Sequence, residues 1–146
     1  MTDTRHVWVF IEQEEGRIAD VSLELLAKGQ ELAQKLGSQV WGLLLGYQVA
    51  DLAQTIIHHG ANHLMVADHP ELEVYRTLPY ARVATRLVRE RQPYIFLIGA
   101  TPTGRDLAPR IASAVRAGLT ADCTGLSIDK ETKLLQQTRQ SIAVRF

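Results

Sequence analysis

Residues 98–110 read IGATPTGRDLAPR, with Gly99 and Gly104 five positions apart, closing an apolar run and opening a helical pattern. Loops of this kind bind phosphate because backbone N–H groups converge at a helix N-terminus. A Walker loop would continue with Lys and then Ser or Thr, for the phosphates and Mg²⁺. Here Arg105 and Asp106 follow, so a carboxylate takes the place of the Mg²⁺-binding hydroxyl. Pro102 also removes one backbone donor from the cradle. Phosphate-cleaving chemistry is therefore not expected. The residues predict a strand-to-helix turn, with Asp106 at the helix N-terminus, Arg105 paired locally and Pro109 in the first helical turn. Anion or nucleotide binding without hydrolysis stays open, since the helix N-terminus itself remains available.

Three other groups of residues have chemistry-bearing types. The loop after the first apolar run, EQEEG, places Glu12, Glu14 and Glu15 beside a single glycine. Three carboxylates would repel a pyrophosphate, which argues against a dinucleotide site and against ATP cleavage there. His58, His59, His63 and His69 cluster in HHGANHLMVADH. Gly60 ends the preceding helical pattern, so His59 and His63 fall on different elements, and no convergent metal-ligand set is expected. Arg82, Arg86 and Arg89 share one helix face at i, i+4, i+7 spacing, with Arg76 and Arg91 nearby. A solvated face is the ordinary reading of such a stripe, and docking of an acidic partner is the functional one. Cys123 has no basic neighbour to activate it, and no Ser–His–Asp or Cys–His arrangement can be assembled. The chain is not expected to be an enzyme.

The elements that must position these residues alternate between strand and helix. Val7–Ile11, Val40–Leu45, Leu64–Ala67 and Tyr94–Ile98 are short apolar runs of strand character. Between them lie helical patterns over about 20–36, around Leu52, Ile56 and Ile57, and from Pro79 with Val83, Ala84, Leu87 and Val88 inward. Asp20 or Ser22 is placed to cap the first helix and Gly37 to end it. Leu107, Ile111, Ala114 and Val115 make one face of the helix after Gly104. Short strand–helix–strand connections predict a mainly parallel sheet with helices on both faces, a three-layer α/β sandwich. After Gly118 the texture changes, and 124–128, 134–138 and 141–146 read as extended segments of a C-terminal edge hairpin.

The bulk numbers fit a soluble globular protein. The 146 residues predict a single α/β domain spanning 1–146. Sixteen basic and sixteen acidic residues cancel, which gives no general attraction to nucleic acid or anionic lipid. Low net charge also suits a subunit whose surface a partner covers, or self-association of the chain. One cysteine, no apolar stretch approaching a membrane span and no leader-like N-terminus together predict a cytoplasmic protein.

Residues 99–124, GATPTGRDLAPRIASAVRAGLTADCT, closely resemble the signature segment in the N-terminal domain of the electron transfer flavoprotein α subunit. Residues 7–37, VWVFIEQEEGRIADVSLELLAKGQELAQKLG, resemble that family's first strand, acidic turn and first helix. The resemblance runs from about His6 to Arg139. It implies an adenine-nucleotide-hydrolase-like (Rossmann-like) fold and pairing with a similarly folded β subunit. It further implies electron carriage from dehydrogenases, such as acyl-CoA dehydrogenase, by a heterodimer whose FAD is held chiefly in a second domain. After Arg139 the family continues toward that domain, whereas this sequence reads SIAVRF after Gln140. The expectation is a truncated form without the FAD domain, with no cofactor on this chain alone. Gly99, Thr101, Gly104, Arg105, Asp106, Pro109 and Arg110 are then interface or motif residues rather than catalytic ones. The rival is a stand-alone adenine-nucleotide-binding module resembling universal stress proteins. Its Gly-x₂-Gly-x₉-Gly-Ser/Thr spacing is not met by glycines at 99, 104 and 118.

Overall fold

The computed structural model describes residues 6–122 and 141–146. Cys123 and the strand candidates at 124–128 and 134–138 lie outside the described residues.

Strand β1, Val7–Ile11, is buried along its whole length. Its alternate side chains enter different cores, Val7, Val9 and Ile11 on one side and Trp8 and Phe10 on the other. That explains why it reads as an uninterrupted apolar run: both faces of the strand are covered. A small antiparallel hairpin follows, β2 (Gln13–Glu14) and β3 (Arg17–Ile18). Its two linking residues, Glu15 and Gly16, have φ of 51° and 78°. Positive φ at both positions matches the right-handed twist of the strands, and glycine supplies the second without strain.

Helix α1, Asp20–Leu36, buries Ser22, Leu25, Leu26, Gly29 and Ala33. It ends at the left-handed Gly37, where the Ser38 N–H donates to Ala33 O at 2.9 Å. Its start differs from the sequence expectation. The N-cap is Ala19, with no side-chain cap, and Ser22 instead faces inward to the end of β1. Strand β4 (Val40–Gly46), helix α2 (Ala53–His58) and strand β5 (His63–Asp68) continue the alternation. Helix α3, Thr77–Arg91, begins two residues before Pro79, which sits in the first turn, where a missing N–H costs little. Strand β6 is Ile95–Gly99, and helix α4, Pro102–Val115, leaves directly from it. On α4 the buried positions are Gly104, Leu107, Ala108, Ile111 and Ala112, while Ala114, expected inside, is exposed.

The six-stranded sheet has the order β5-β4-β1-β6-β8-β7, with β7 spanning Gly118–Asp122 and β8 Ser141–Arg145. The four strands β5, β4, β1 and β6 are mutually parallel. Strand β8 runs antiparallel to both β6 and β7. An antiparallel pair therefore stands at this edge, as expected, but its outer member is β7. The last strand inserts between β6 and β7, and its Ile142, Ala143 and Val144 join the core. Helices α3 and α4 cover the Trp8 side and α1 and α2 the Val9 side, giving three layers. Trp8 and Phe96 meet edge to face at 5.4 Å in the first of these cores. Burying an aliphatic or phenyl side chain of this kind contributes roughly 1.5–3 kcal/mol.

Candidate functional site at the switch point of the sheet

Strand order reverses at β1: the chain moves outward through β4 and β5, then returns to the other side of β1 with β6. In open parallel sheets this switch point leaves a crevice beyond the strand ends, the usual ligand position. The two segments bordering it are Glu12, just after β1, and Ala100–Thr101, just after β6.

Here a side-chain bond bridges the crevice. The Thr101 hydroxyl donates to Glu12 Oε1 at 2.7 Å. The Thr101 hydroxyl oxygen in turn accepts the Gly104 N–H at 3.0 Å, which makes Thr101 the N-cap of α4. Glu12 is fixed from the other side. Its N–H donates to Ser22 Oγ at 2.7 Å, and its carbonyl accepts the Ala19 N–H at 2.9 Å. The starts of α1 and α4 are thus joined through one residue, Glu12, by its backbone on the α1 side and its carboxylate on the α4 side. Burial pushes the Glu12 carboxyl above its ordinary range, the Thr101 bond pulls it back, and the neighbouring Glu14 raises it further.

The helix start has little left for an anion. Pro102, at the first helical position, has no N–H, and the Gly104 N–H is taken by Thr101. The cavity beside it, about 660 Å³, is lined by Glu12, Glu14, Glu15 and Glu73 against one cation, Arg17. Phe10, Tyr75 and Tyr80 form much of its remaining wall. Carboxylates at this mouth repel phosphate, as the EQEEG segment implied.

The remaining motif residues divide between packing and tethering. Gly104 lies against the last residue of β6, where a Cβ would fall 1.8 Å from the Gly99 carbonyl oxygen. Arg105 donates its Nε–H to Ala100 O at 3.1 Å. Asp106 is not in the first turn, because α4 starts at Pro102. Its Oδ2 accepts the Tyr75 hydroxyl at 2.7 Å and the Thr77 hydroxyl at 2.5 Å, tying the segment entering α3 to α4. Pro109, expected in the first turn, lies inside the helix on an exposed position. It removes the N–H that would reach the Arg105 carbonyl. Arg110 is exposed and close enough to Asp106 to favour its charged form.

Tyr75 and Thr77 were not singled out by sequence reasoning. Their only signal was position, just before a helix whose partner carries an unexplained Asp. The bonds from Thr77 and Tyr75 hold the Asp106 carboxyl below its ordinary range. Burial and the Asp106 carboxylate push the Tyr75 phenol up to about 12. A phenol whose pKa rises on folding binds more protons folded than unfolded, so stability falls as pH rises from about 10 toward 12. An ultraviolet tyrosinate titration should show late ionisation of Tyr75 and of Tyr80, whose phenol burial also raises, and Asp106→Asn should move only the Tyr75 step to lower pH. An unmoved step would show that the Tyr75–Asp106 bond does not form.

The histidines do not converge. His59 Nδ1 lies 2.9 Å from Thr55 O, His63 Nε2 lies 3.1 Å from Gln39 Oε1, and His69 Nδ1 accepts the Glu71 N–H. Among the described residues, no three His, Cys, Asp or Glu are grouped to hold a metal ion. Arg82, Arg86 and Arg89 do share the outer side of α3.

The fold and the bridged crevice define a three-layer α/β sandwich of the Rossmann-like class, with its switch point tied across by a threonine and a glutamate. Within that class the chain belongs to the electron transfer flavoprotein domain family, whose model matches residues 7–144. That match ends five residues past Arg139, so it takes in most of β8. The chain is 48% identical over 137 residues to electron transfer flavoprotein subunit alpha of Clostridium acetobutylicum, covering 94% of this chain and 41% of that protein. It is 43% identical over 142 residues to the subunit of the same name from Megasphaera elsdenii, covering 97% and 42%. It is 47% identical over 125 residues to acryloyl-CoA reductase electron transfer subunit beta of Anaerotignum propionicum, covering 86% and 34%. The chain thus spans less than half the length of these relatives. No helix among the described residues is long and apolar enough to cross a membrane.

Proposed function

We propose that residues 1–146 act as the N-terminal structural and subunit-facing domain of an electron transfer flavoprotein α subunit. In this reading the chain is a scaffold within a flavin-based electron carrier, and it catalyses nothing alone. The observation that carries it is the Thr101–Glu12 bridge. In a family match covering residues 7–144, the crevice that would seat a nucleotide is instead used to join two helix starts. The FAD belongs to the longer protein, the partner is the β subunit, and the electron donors are cytoplasmic dehydrogenases of the acyl-CoA type. A relative whose name joins acryloyl-CoA reductase to an electron transfer subunit supports a redox partner that handles acyl-CoA.

Gly99 and Gly104 then shape a helix start, while Arg105 and Arg110 offer charge-assisted hydrogen bonds to the partner. The test is a binding titration of the purified chain with the β subunit of its own complex. The expected result is a stable pair that Arg105→Ala weakens about tenfold, the loss of one charge-assisted bond at an interface. Unchanged affinity would remove Arg105 from the interface. Stoichiometric flavin absorbance on the chain alone would overturn the domain assignment. Micromolar ATP or AMP binding by calorimetry would favour the nucleotide-binding module.

A further inference from the structure

The chain is neutral overall, but its charge is segregated. Residues 76–116, which hold α3 and α4, contain eight arginines, no lysine and two carboxylates, a net of +6. The rest of the chain therefore carries −6. All eight arginines are exposed, and α3 and α4 lie side by side in the same outer layer. Both carboxylates are engaged locally. Glu90 pairs with Arg86 at 3.2 Å, and Asp106 accepts from Tyr75 and Thr77.

Some of these arginines have local explanations. Arg89 and Arg91 sit in the last turn of α3, where cations are favoured, and Arg89 donates to Ala114 O at 2.8 Å. Arg105 and Arg76 reach backbone carbonyls. The guanidinium groups of Arg82 and Arg116 have no hydrogen bond or ion pair among the described residues. Arg82 and Arg86 stand at i, i+4 and Arg86 and Arg89 at i, i+3, spacings at which like charges destabilise a helix. The isolated chain keeps this repulsion, and an approaching set of carboxylates relieves it.

We propose that the outer surface of α3 and α4 docks a protein partner through a carboxylate-rich face, with Arg82 and Arg86 at its centre. This does not depend on the β-subunit reading. The charge complementarity is that of a +6 layer with its own two acids already used. Composition favours protein over other polyanions: protein interfaces enrich arginine and deplete lysine relative to the rest of the surface. Leu78, 60% exposed, continues the Arg82–Arg86 stripe one turn earlier and adds an apolar contact. No aromatic side chain on α3 or α4 is exposed to stack bases, since Tyr80 is buried. The apolar faces of both helices are spent on the core, and the one exposed leucine, Leu78, is too little apolar surface to hold the layer in lipid.

The test uses the whole chain and poly-L-glutamate as the acidic polypeptide, titrated at several salt concentrations. The expected result is binding that weakens steeply with salt and falls about tenfold in Arg82→Gln/Arg86→Gln. Arg17→Gln/Lys35→Gln, the same charge change outside residues 76–116, should leave it nearly intact. Both pairs are exposed, and circular dichroism checks that the variants fold. Equal weakening by the two pairs would reduce the effect to net charge and overturn the proposal. Tighter binding of a single-stranded oligonucleotide, or of phosphatidylserine vesicles, would overturn the protein assignment. Salt-sensitive self-association of the chain, lost in Arg82→Gln/Arg86→Gln, would replace the foreign partner with a second copy.

Discussion

Gly104→Ala is expected to cost about 3 kcal/mol or more, the upper end for forcing an atom into a closed core. For a chain of this size that is a large share of its total stability. The new Cβ would meet the Gly99 carbonyl oxygen at 1.8 Å, with Gly99 C and Ile98 Cγ2 each at 3.0 Å. The first two are backbone at the end of the buried strand β6, so no side chain can swing away. In an ordinary helix interior the same change stabilises by about 1 kcal/mol, so the sign of the effect is diagnostic. Ser113→Ala, on the exposed side of α4, should gain a few tenths of a kcal/mol on propensity alone. Urea denaturation of the three proteins measures both effects. A Gly104→Ala variant as stable as its parent would mean that α4 does not pack this closely on β6.

Thr101→Val should cost about 2–3 kcal/mol at neutral pH, the sum of a lost helix cap and a half-buried carboxylate left without its donor. The substitution keeps the shape and removes only the hydroxyl that bonds both Glu12 and the Gly104 N–H. Its pH dependence separates the two contributions. The Glu12 carboxyl is already raised by burial, and the Thr101 bond works in the opposite direction. Removing that bond raises it further. A carboxyl raised by folding binds more protons in the folded state, so stability falls as pH rises through the window between its unfolded and folded pKa values. The Thr101→Val penalty should therefore be smaller in acid and grow toward neutrality. In a Glu12→Gln background the charge is absent, so the penalty should shrink to that of the cap, about 1 kcal/mol. Thermal or urea unfolding of the four proteins across pH gives the coupling, and a penalty independent of both pH and Glu12 would rule out the bridge.

The parts of the fold legible in sequence were those set by local periodicity. VWVFI reads as a doubly covered strand because its core contacts alternate across the sheet. Gly37 reads as a helix end because only a residue tolerant of left-handed backbone fits there cheaply. Where the local signal was shared between alternatives, the reading slipped. Ser22 has the chemistry of an N-cap, yet its hydroxyl accepts from the Glu12 N–H, ten residues earlier. Pro109 suits a first helical turn, but Pro102 suits it equally and took the place. The Glu15–Gly16 turn was present in EQEEG, but two-residue strands are too short to show a period of their own.

By itself the sequence determined the alternation of strands and helices, the mismatch of residues 98–110 with phosphate chemistry, and the family. Each of these rests on residue types at short, fixed spacings. Tertiary structure alone decided that Thr101 meets Glu12 across 89 positions and that Asp106 answers Tyr75 and Thr77. It also decided that Ser141–Arg145 lies inside the sheet, between β6 and β7. These are choices of partner between distant segments. They depend on strand order and on which helix starts lie side by side, and no local spacing encodes either.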